Sequence, residues 1–364
     1  MKNIPRLTET ISRQTVNTVE EWEKYRRPEI ISLFSEYIYG VRPVERPKDL
    51  RFDVLEEKEF DGSVKIKRKL IGIGFSDYRF NVYGYVPADC KNKIPVFLYI
   101  MHENHENMCD LRNSIKCDFV AIEDIISRGY GVYIMPTSGI APDWEENAGY
   151  KKGIYPHLEP ENYVRTGNSW ATISAWSWGA SRVMDYLETD PVVAVDKVIC
   201  VGHSRCGKTA LWTAATDTRF FCVISNNSGC AGAALHRTKQ GEHIKDINIT
   251  DWFCGNYKKF NDNENMLPVD QHMLIASIAP RLCYVSSSSE DSWADPLAER
   301  DSCRLASEIY ELYDMKGVEL PDEPVEINKA YHDGSIGYHV KTGEHSINKQ
   351  DWTMFLDFLD SKIK

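Results

Sequence analysis

Three positions in this chain have the side chains for nucleophilic catalysis: Ser204, an acidic turn at 289–296, and His345. A serine hydroxyl attacks a carbonyl only when a base takes its proton and a third group orients that base. Ser204 stands in Gly202-His203-Ser204-Arg205-Cys206-Gly207-Lys208, after the apolar run Val198 to Val201 and before the alanine-rich segment Thr209 to Ala215. That pattern reads as strand, tight turn and helix, with the hydroxyl at the apex and the N–H groups of the helix start beside it for an oxyanion. The spacing is Gly-x-Ser-x-x-Gly, because Cys206 holds the usual second glycine position. Taken alone it also fits a structural serine in an ordinary strand-to-helix turn.

The partners come later in the chain. Ser289-Glu290-Asp291-Ser292-Trp293-Ala294-Asp295-Pro296 follows the apolar run Leu282 to Ser286, and Gly337 to His345 reads as a glycine-rich loop before the last helix. An acidic turn of this kind is also what caps a helix, and a single histidine is more often structural than catalytic. The order serine, acid, histidine, each after a strand, is that of the α/β-hydrolases.

These residues need a scaffold, and the hydrophobic pattern supplies one. Residues 1–45 read as an N-terminal helical arm through Trp22, Tyr25, Ile30, Leu33, Phe34, Tyr37 and Ile38, interrupted at Pro28. Alternation from Phe52 to Tyr85 predicts antiparallel strands, whereas Pro95 to Ile100, Gly131 to Met135 and Phe221 to Ser225 are continuous apolar runs typical of buried parallel strands. Helices are expected around 119–128, 173–187 and 351–364, a long loop over 136–169, and a polar insertion over 235–266. Strands alternating with helices imply an α/β fold, a mostly parallel central sheet with helices on both faces, in a single domain over 1–364.

Composition removes several classes. A net charge of −11 argues against nucleic acid, and no apolar run reaches the length of a membrane span. The ten cysteines are scattered, with Cys200 and Cys222 in apolar runs, and Cys109 and Cys117 are read as thiols although their spacing would allow a pair. No signal segment is visible, so the expected compartment is cytoplasmic, or extracellular where a leader has been removed. Met101-His102-Glu103-Asn104-His105-Glu106 lacks the spacing of the His-Glu-x-x-His zinc helix and is placed at the site's rim; no metal or cofactor is expected.

From about Trp22 onward the chain resembles the glucuronoyl esterases, carbohydrate esterase family fifteen. The resemblance is densest in Trp178 to Arg182, Asp185 to Glu188, Gly202 to Lys208, Leu267 to His272 and Ile278 to Arg281. Its specific part is the Ser-Arg-x-Gly-Lys turn, since a generic hydrolase elbow does not require Arg205 and Lys208. The resemblance implies a cofactor-free esterase acting on the bond between 4-O-methyl-glucuronic acid of xylan and lignin alcohols. Ser204 would attack the uronate carbonyl and His345 would shuttle the proton. Arg205 would hold the oxyanion through its N–H and guanidinium. Lys208 and Glu242 would bind sugar hydroxyls, and Trp293 would sit against the ring. The bland readings are an exposed helix lysine at 208 and a core tryptophan at 293.

One departure decides the acid. Some members carry a catalytic glutamate in the loop after the strand that follows the nucleophile helix, where this chain has Asn227. An amide cannot stabilise an imidazolium as a carboxylate does, so the acid is assigned to Asp291, with Asp295 and Glu290 as alternatives. Trp144, Tyr150, Tyr155, Tyr163, Trp170 and Trp252 are candidate stacking rings, half of them expected in the core. The expected partner is glucuronoxylan or a glucuronate-ester oligosaccharide, met by a monomer. An acetyl esterase on xylan with the same triad is the alternative, and a carbohydrate-binding protein on a hydrolase scaffold is the reading of another class.

Overall fold

A computed structural model describes residues 4–143, 149–237, 240–248, 251–321 and 324–363. Its backbone is one ten-stranded sheet: β1 (Arg51–Phe60), β2 (Ile66–Phe75), β3 (Tyr78–Pro87), β4 (Ile94–Met101), β5 (Gly131–Pro136), β6 (Val193–His203), β7 (Cys222–Asn226), β8 (Leu282–Ser288), β9 (Ala330–Tyr331) and β10 (Ile336–Lys341). The spatial order is β1-β2-β3-β5-β4-β6-β7-β8-β10-β9. Pairing is antiparallel from β1 through β3 to β5, parallel from β5 to β10, and antiparallel again to β9. The continuous apolar runs became the parallel centre: β5, β7 and β8 are buried along their whole length. The alternating opening became the antiparallel edge, where β1 is mostly exposed.

Helices cover both faces, as a parallel sheet requires. On one side lie α1 (Arg27–Phe34), α4 (Thr172–Leu187), α5 (Arg205–Thr216), α6 (Gln271–Ala276) and α7 (Pro296–Leu312); on the other, α2 (Glu103–Met108), α3 (Ile122–Ser127) and α8 (Lys349–Lys362). The N-terminal arm alternates α and π turns from Val19 to Tyr39. Pro28 does not end it: the turn before it, Trp22–Arg26, is a π turn in which Arg27 N–H reaches Trp22 O, and the chain continues through Pro28 in helical conformation. The arm braces the helix behind Ser204: Tyr39 stacks on Trp212 of α5 at 4.6 Å, and Arg27 donates to the carbonyl of Ala215 at its C-terminal end.

Three sequence expectations change. Gly337 to Lys341 is strand β10 rather than loop, so the histidine loop is only the segment between β10 and α8. The region 235–266 packs inward, with Ile244, Phe253 and Tyr257 buried in the main core. Cys109 and Cys117 are joined in a disulfide, closing the loop after α2. The first two-thirds of α7 bury mostly small residues, Ala298, Ser302, Cys303 and Ala306, and the bulky Ile309 and Tyr310 join its buried face only near the C-terminal end. No helix of the described residues is long and apolar enough to cross a membrane.

Candidate active site

Ser204 sits where β6 ends and α5 begins, with φ +58° and ψ −126°. A non-glycine residue in that region costs roughly 1–3 kcal/mol, so the turn must be held from outside. The Ser204 N–H donates to Asn226 O at 2.8 Å, and Gly207 N–H returns to Ser204 O at 2.8 Å. Gly202 is required by close approach: a Cβ there would lie 2.1 Å from the carbonyl oxygen of Cys206. Cys206, at the usual glycine position, is the second residue of α5 and is fully buried. Because α5 starts at Arg205, the first N–H groups of the helix lie next to the Ser204 hydroxyl.

His345 and Asp291 come from neighbouring loops at the carboxyl ends of β10 and β8. His345 Nδ1 and Asp291 Oδ2 are 2.6 Å apart. Asp291 is buried and accepts two further bonds, from Asn227 Nδ2 at 2.7 Å and from Ala294 N at 3.2 Å. Burial pushes its carboxyl up, but the bonds from His345 and Asn227 outweigh that and hold it below the ordinary range, ionised at neutral pH. An ionised carboxylate accepts only, so Nδ1 of His345 carries the hydrogen and Nε2 is left with a lone pair. The two alternative acids are engaged elsewhere. Asp295 caps α7 through Ala298 N at 3.0 Å and accepts from Gln240 N, and Glu290 is exposed.

Ser204, Asp291 and His345 line one cavity of about 340 Å³ together with Arg205, Lys208, Asn227, Glu242, Trp252 and Trp293. The structure thus gathers every site residue expected from sequence, but two differ from their bland readings. Lys208 is buried, not an exposed helix lysine; its ammonium donates to Ser228 O and Cys230 O at 2.6 Å and to Glu242 Oε2 at 3.2 Å. Trp293 is 56 % exposed, not a core ring, and its indole N–H donates to Glu242 Oε1 at 3.1 Å. Glu242 is therefore fixed between a cation and an indole, at the edge of the cavity.

Arg205 is held by a residue the sequence did not single out. Asp143 pairs with its Nη1 at 2.7 Å and accepts the Trp252 indole N–H at 2.7 Å, while the guanidinium lies 4.6 Å from the Trp252 ring centroid. Asp143 is in the long loop 136–169, whose lack of periodicity hid it. Of the candidate stacking rings, Trp252 lines the cavity, Tyr155 and Trp170 are core, Tyr150 and Tyr163 are half-buried, and Trp144 lies outside the described residues.

His102 and His105 are not at the rim. They are buried behind the site, their rings 3.8 Å apart, with His105 stacked on Phe119 and next to His203. Burial pushes His102 down to about 3 and His105 to about 4, and His203 well below its usual value. The His203 ring is 4.5 Å from His345, so His345 rests on a neutral imidazole. Among the described residues no group of three potential ligands is placed to hold a metal.

A sequence profile of fungal glucuronyl esterases matches residues 161–314. Carbohydrate esterase MZ0003 from an unknown prokaryotic organism is 34% identical over 375 residues, covering 95% of this chain and 86% of that protein. The solved glucuronoyl esterase from Solibacter usitatus superposes with a TM-score of 0.89 at 32% identity, over 99% of this chain and 98% of its own. A promiscuous CE15 esterase from a marine bacterial metagenome does so with 0.86 at 33% identity, over 98% and 96%. With the α/β-hydrolase sheet and this cavity, such similarity over nearly the whole length means that the chain belongs to the glucuronoyl esterases of carbohydrate esterase family 15, a family of carboxylic ester hydrolases.

Proposed function

We propose that this enzyme hydrolyses esters of glucuronic acid carried on xylan through an acyl-enzyme on Ser204, with His345 as base and Asp291 as its acid. The observation that carries the reading is the 2.6 Å contact between Asp291 and His345 in the cavity that also holds Ser204. Nε2 of His345 takes the Ser204 proton as Oγ attacks the uronate carbonyl. The oxyanion meets the N–H groups at the start of α5 and the fixed charge of Arg205. His345 then protonates the departing alcohol, and a water activated by the same nitrogen releases glucuronate.

Lys208, Glu242 and Trp293 form the sugar side of the cavity, an acceptor, a cation and an exposed ring such as a hydroxylated ring demands. They support a uronate over an acetyl group, which offers such a pocket nothing on its acyl side. The Cys109–Cys117 disulfide supports work in an oxidising compartment. The test is competition between two substrates combined with labelling. A serine-directed phosphonate is expected to modify Ser204 and abolish activity, with benzyl glucuronate turned over well ahead of acetylated xylose. Equal or faster turnover of the acetyl ester contradicts the uronate assignment.

A further inference from the structure

Lys341 at the end of β10 is fully buried, and its ammonium must donate in every direction it uses. It faces Asp351 Oδ2 of α8 at 3.1 Å, and donates to Ser346 O at 2.6 Å and to Ser288 Oγ at 2.8 Å. Asp351 is equally buried and is shared with His339 Nε2 at 3.0 Å, Asn226 Nδ2 at 3.2 Å and Asn348 N at 2.8 Å. The charge pair is thus satisfied on the α8 side, and two of the lysine's donors are directed at the catalytic loops. Ser346 is the residue after His345. Ser288 closes β8, three residues before Asp291.

The direction of each further bond follows from the ammonium. Ser288 Oγ, having accepted from Lys341, has its own hydrogen to give, and it lies 3.3 Å from Asn227 Oδ1. An Asn227 amide that accepts through Oδ1 must present its Nδ2 hydrogens the other way, and Nδ2 is 2.7 Å from Asp291 Oδ2. Asp291 then receives hydrogens from both Asn227 and His345, the arrangement that an ionised carboxylate needs. Asn227 stands at φ +46°, with its N–H held by Ser286 O at 2.7 Å, which fixes the backbone from which the amide projects; the direction of the amide itself is set by its bonds to Ser288 and Asp291.

We propose that Lys341 is a positioning residue for the reaction: through Ser288 it fixes the orientation of the Asn227 amide, and hence the ionised, hydrogen-accepting state of Asp291, while through Ser346 it fixes the His345 loop. The proposal rests on the assignment of Asp291 and His345 above. It also gives Asn227 a role. In place of a second acid, this chain has an amide with a fixed direction.

Other charged or titratable groups face this pair and stay in place when the relay is cut at Ser288. They are Glu299 of α7 beside Asp291, Arg205 of α5, and the neutral His102, His105 and His203 beside His345. The decisive variant is therefore Ser288→Ala, which removes the relay and no charge. Its kcat on benzyl glucuronate is expected to fall roughly tenfold with KM within about twofold, and the acid limb of kcat/KM to move up by roughly half a pH unit, as an Asp291 carboxylate with one donor fewer binds the His345 proton more tightly. Ser288→Thr, which keeps the hydroxyl, should restore both. Lys341→Met also cuts the Ser346 branch, so it should lower kcat further than Ser288→Ala does, and Ser288→Ala should add little to Lys341→Met in the double variant. Where Lys341→Met does not fold, the pH profiles of the two Ser288 variants decide alone. Wild-type kcat and acid limb in Ser288→Ala, with activity lost in Asp291→Asn, overturn this proposal only. Wild-type activity in Asp291→Asn overturns the assignment of the acid, and this proposal with it.

Discussion

Asp291 and Glu299 lie close together and are tuned in opposite directions. Asp291 is held ionised by its donors. Glu299 is fully buried, accepts from Ser228 N at 2.8 Å, Gly229 N at 2.9 Å and Ser287 Oγ at 2.6 Å, and is pushed up to about 7 by burial, with the Asp291 charge adding to the rise. Because its folded value lies above its ordinary 4.5, the folded state binds that proton more tightly than the unfolded chain does. The associated stability is complete below about pH 4.5 and is lost as pH rises to about 7, an amount of about 3 kcal/mol. Glu299→Gln keeps an acceptor for the loop and removes the titration. The variant's stability relative to wild type should therefore rise between pH 4.5 and 7, read from urea midpoints across that window, and a constant difference would contradict the assignment. Arg205 gives a second prediction at this scale. Asp143 holds its guanidinium against Trp252, so Asp143→Asn should lower kcat/KM roughly tenfold, about 1.4 kcal/mol of transition-state stabilisation, and alter Trp252 fluorescence.

At the scale of elements, each of the three proposed catalytic groups sits on a loop whose two flanking elements are rigid. Ser204 is fixed between β6 and α5, Asp291 between β8 and α7, and His345 between β10 and α8. The loop after α2 is tied differently, by the Cys109–Cys117 bond across a separation of 8 residues. Closing so short a loop restricts the unfolded chain by about 2–3 kcal/mol, so the double variant Cys109→Ser/Cys117→Ser should lose that much in urea denaturation and keep its esterase activity. The elements that were readable from sequence are those with a strong period. The apolar runs of β4 to β8 read as buried parallel strands, and the Gly202–Gly207 turn announced the elbow. What was not readable came from weak local signals. The glycine at 337 made β10 look like a loop, yet a Cβ there would strike the Tyr284 ring at 2.3 Å, so the glycine serves strand packing. Small residues hid the first two-thirds of α7. Nothing local in 136–169 marks Asp143, because its role depends on a tryptophan more than a hundred residues later.

The whole molecule puts its chemistry on one edge of a two-faced sheet. Aromatic packing on the α5 side, where Tyr39, Trp212 and Phe34 meet, holds the nucleophile helix, and Trp352, Phe355 and Phe358 hold α8 behind the histidine loop. Ser204, Asp291 and His345 were legible together because three weak signals fell in the order and after the elements that one fold demands. Glu290, Asp291 and Asp295 could not be separated by composition or spacing; only the three-dimensional arrangement divides them into an exposed side chain, a partner of the base and a helix cap. The central claim is that division. It is tested most directly by kcat/KM for benzyl glucuronate in wild type, Ser204→Ala and Asp291→Asn. Both variants are expected to fall, Asp291→Asn by roughly 10²–10⁴-fold, because an amide in place of the carboxylate leaves His345 in the wrong tautomer. Loss in Ser204→Ala with near wild-type turnover in Asp291→Asn would contradict the account and move the acid to another residue.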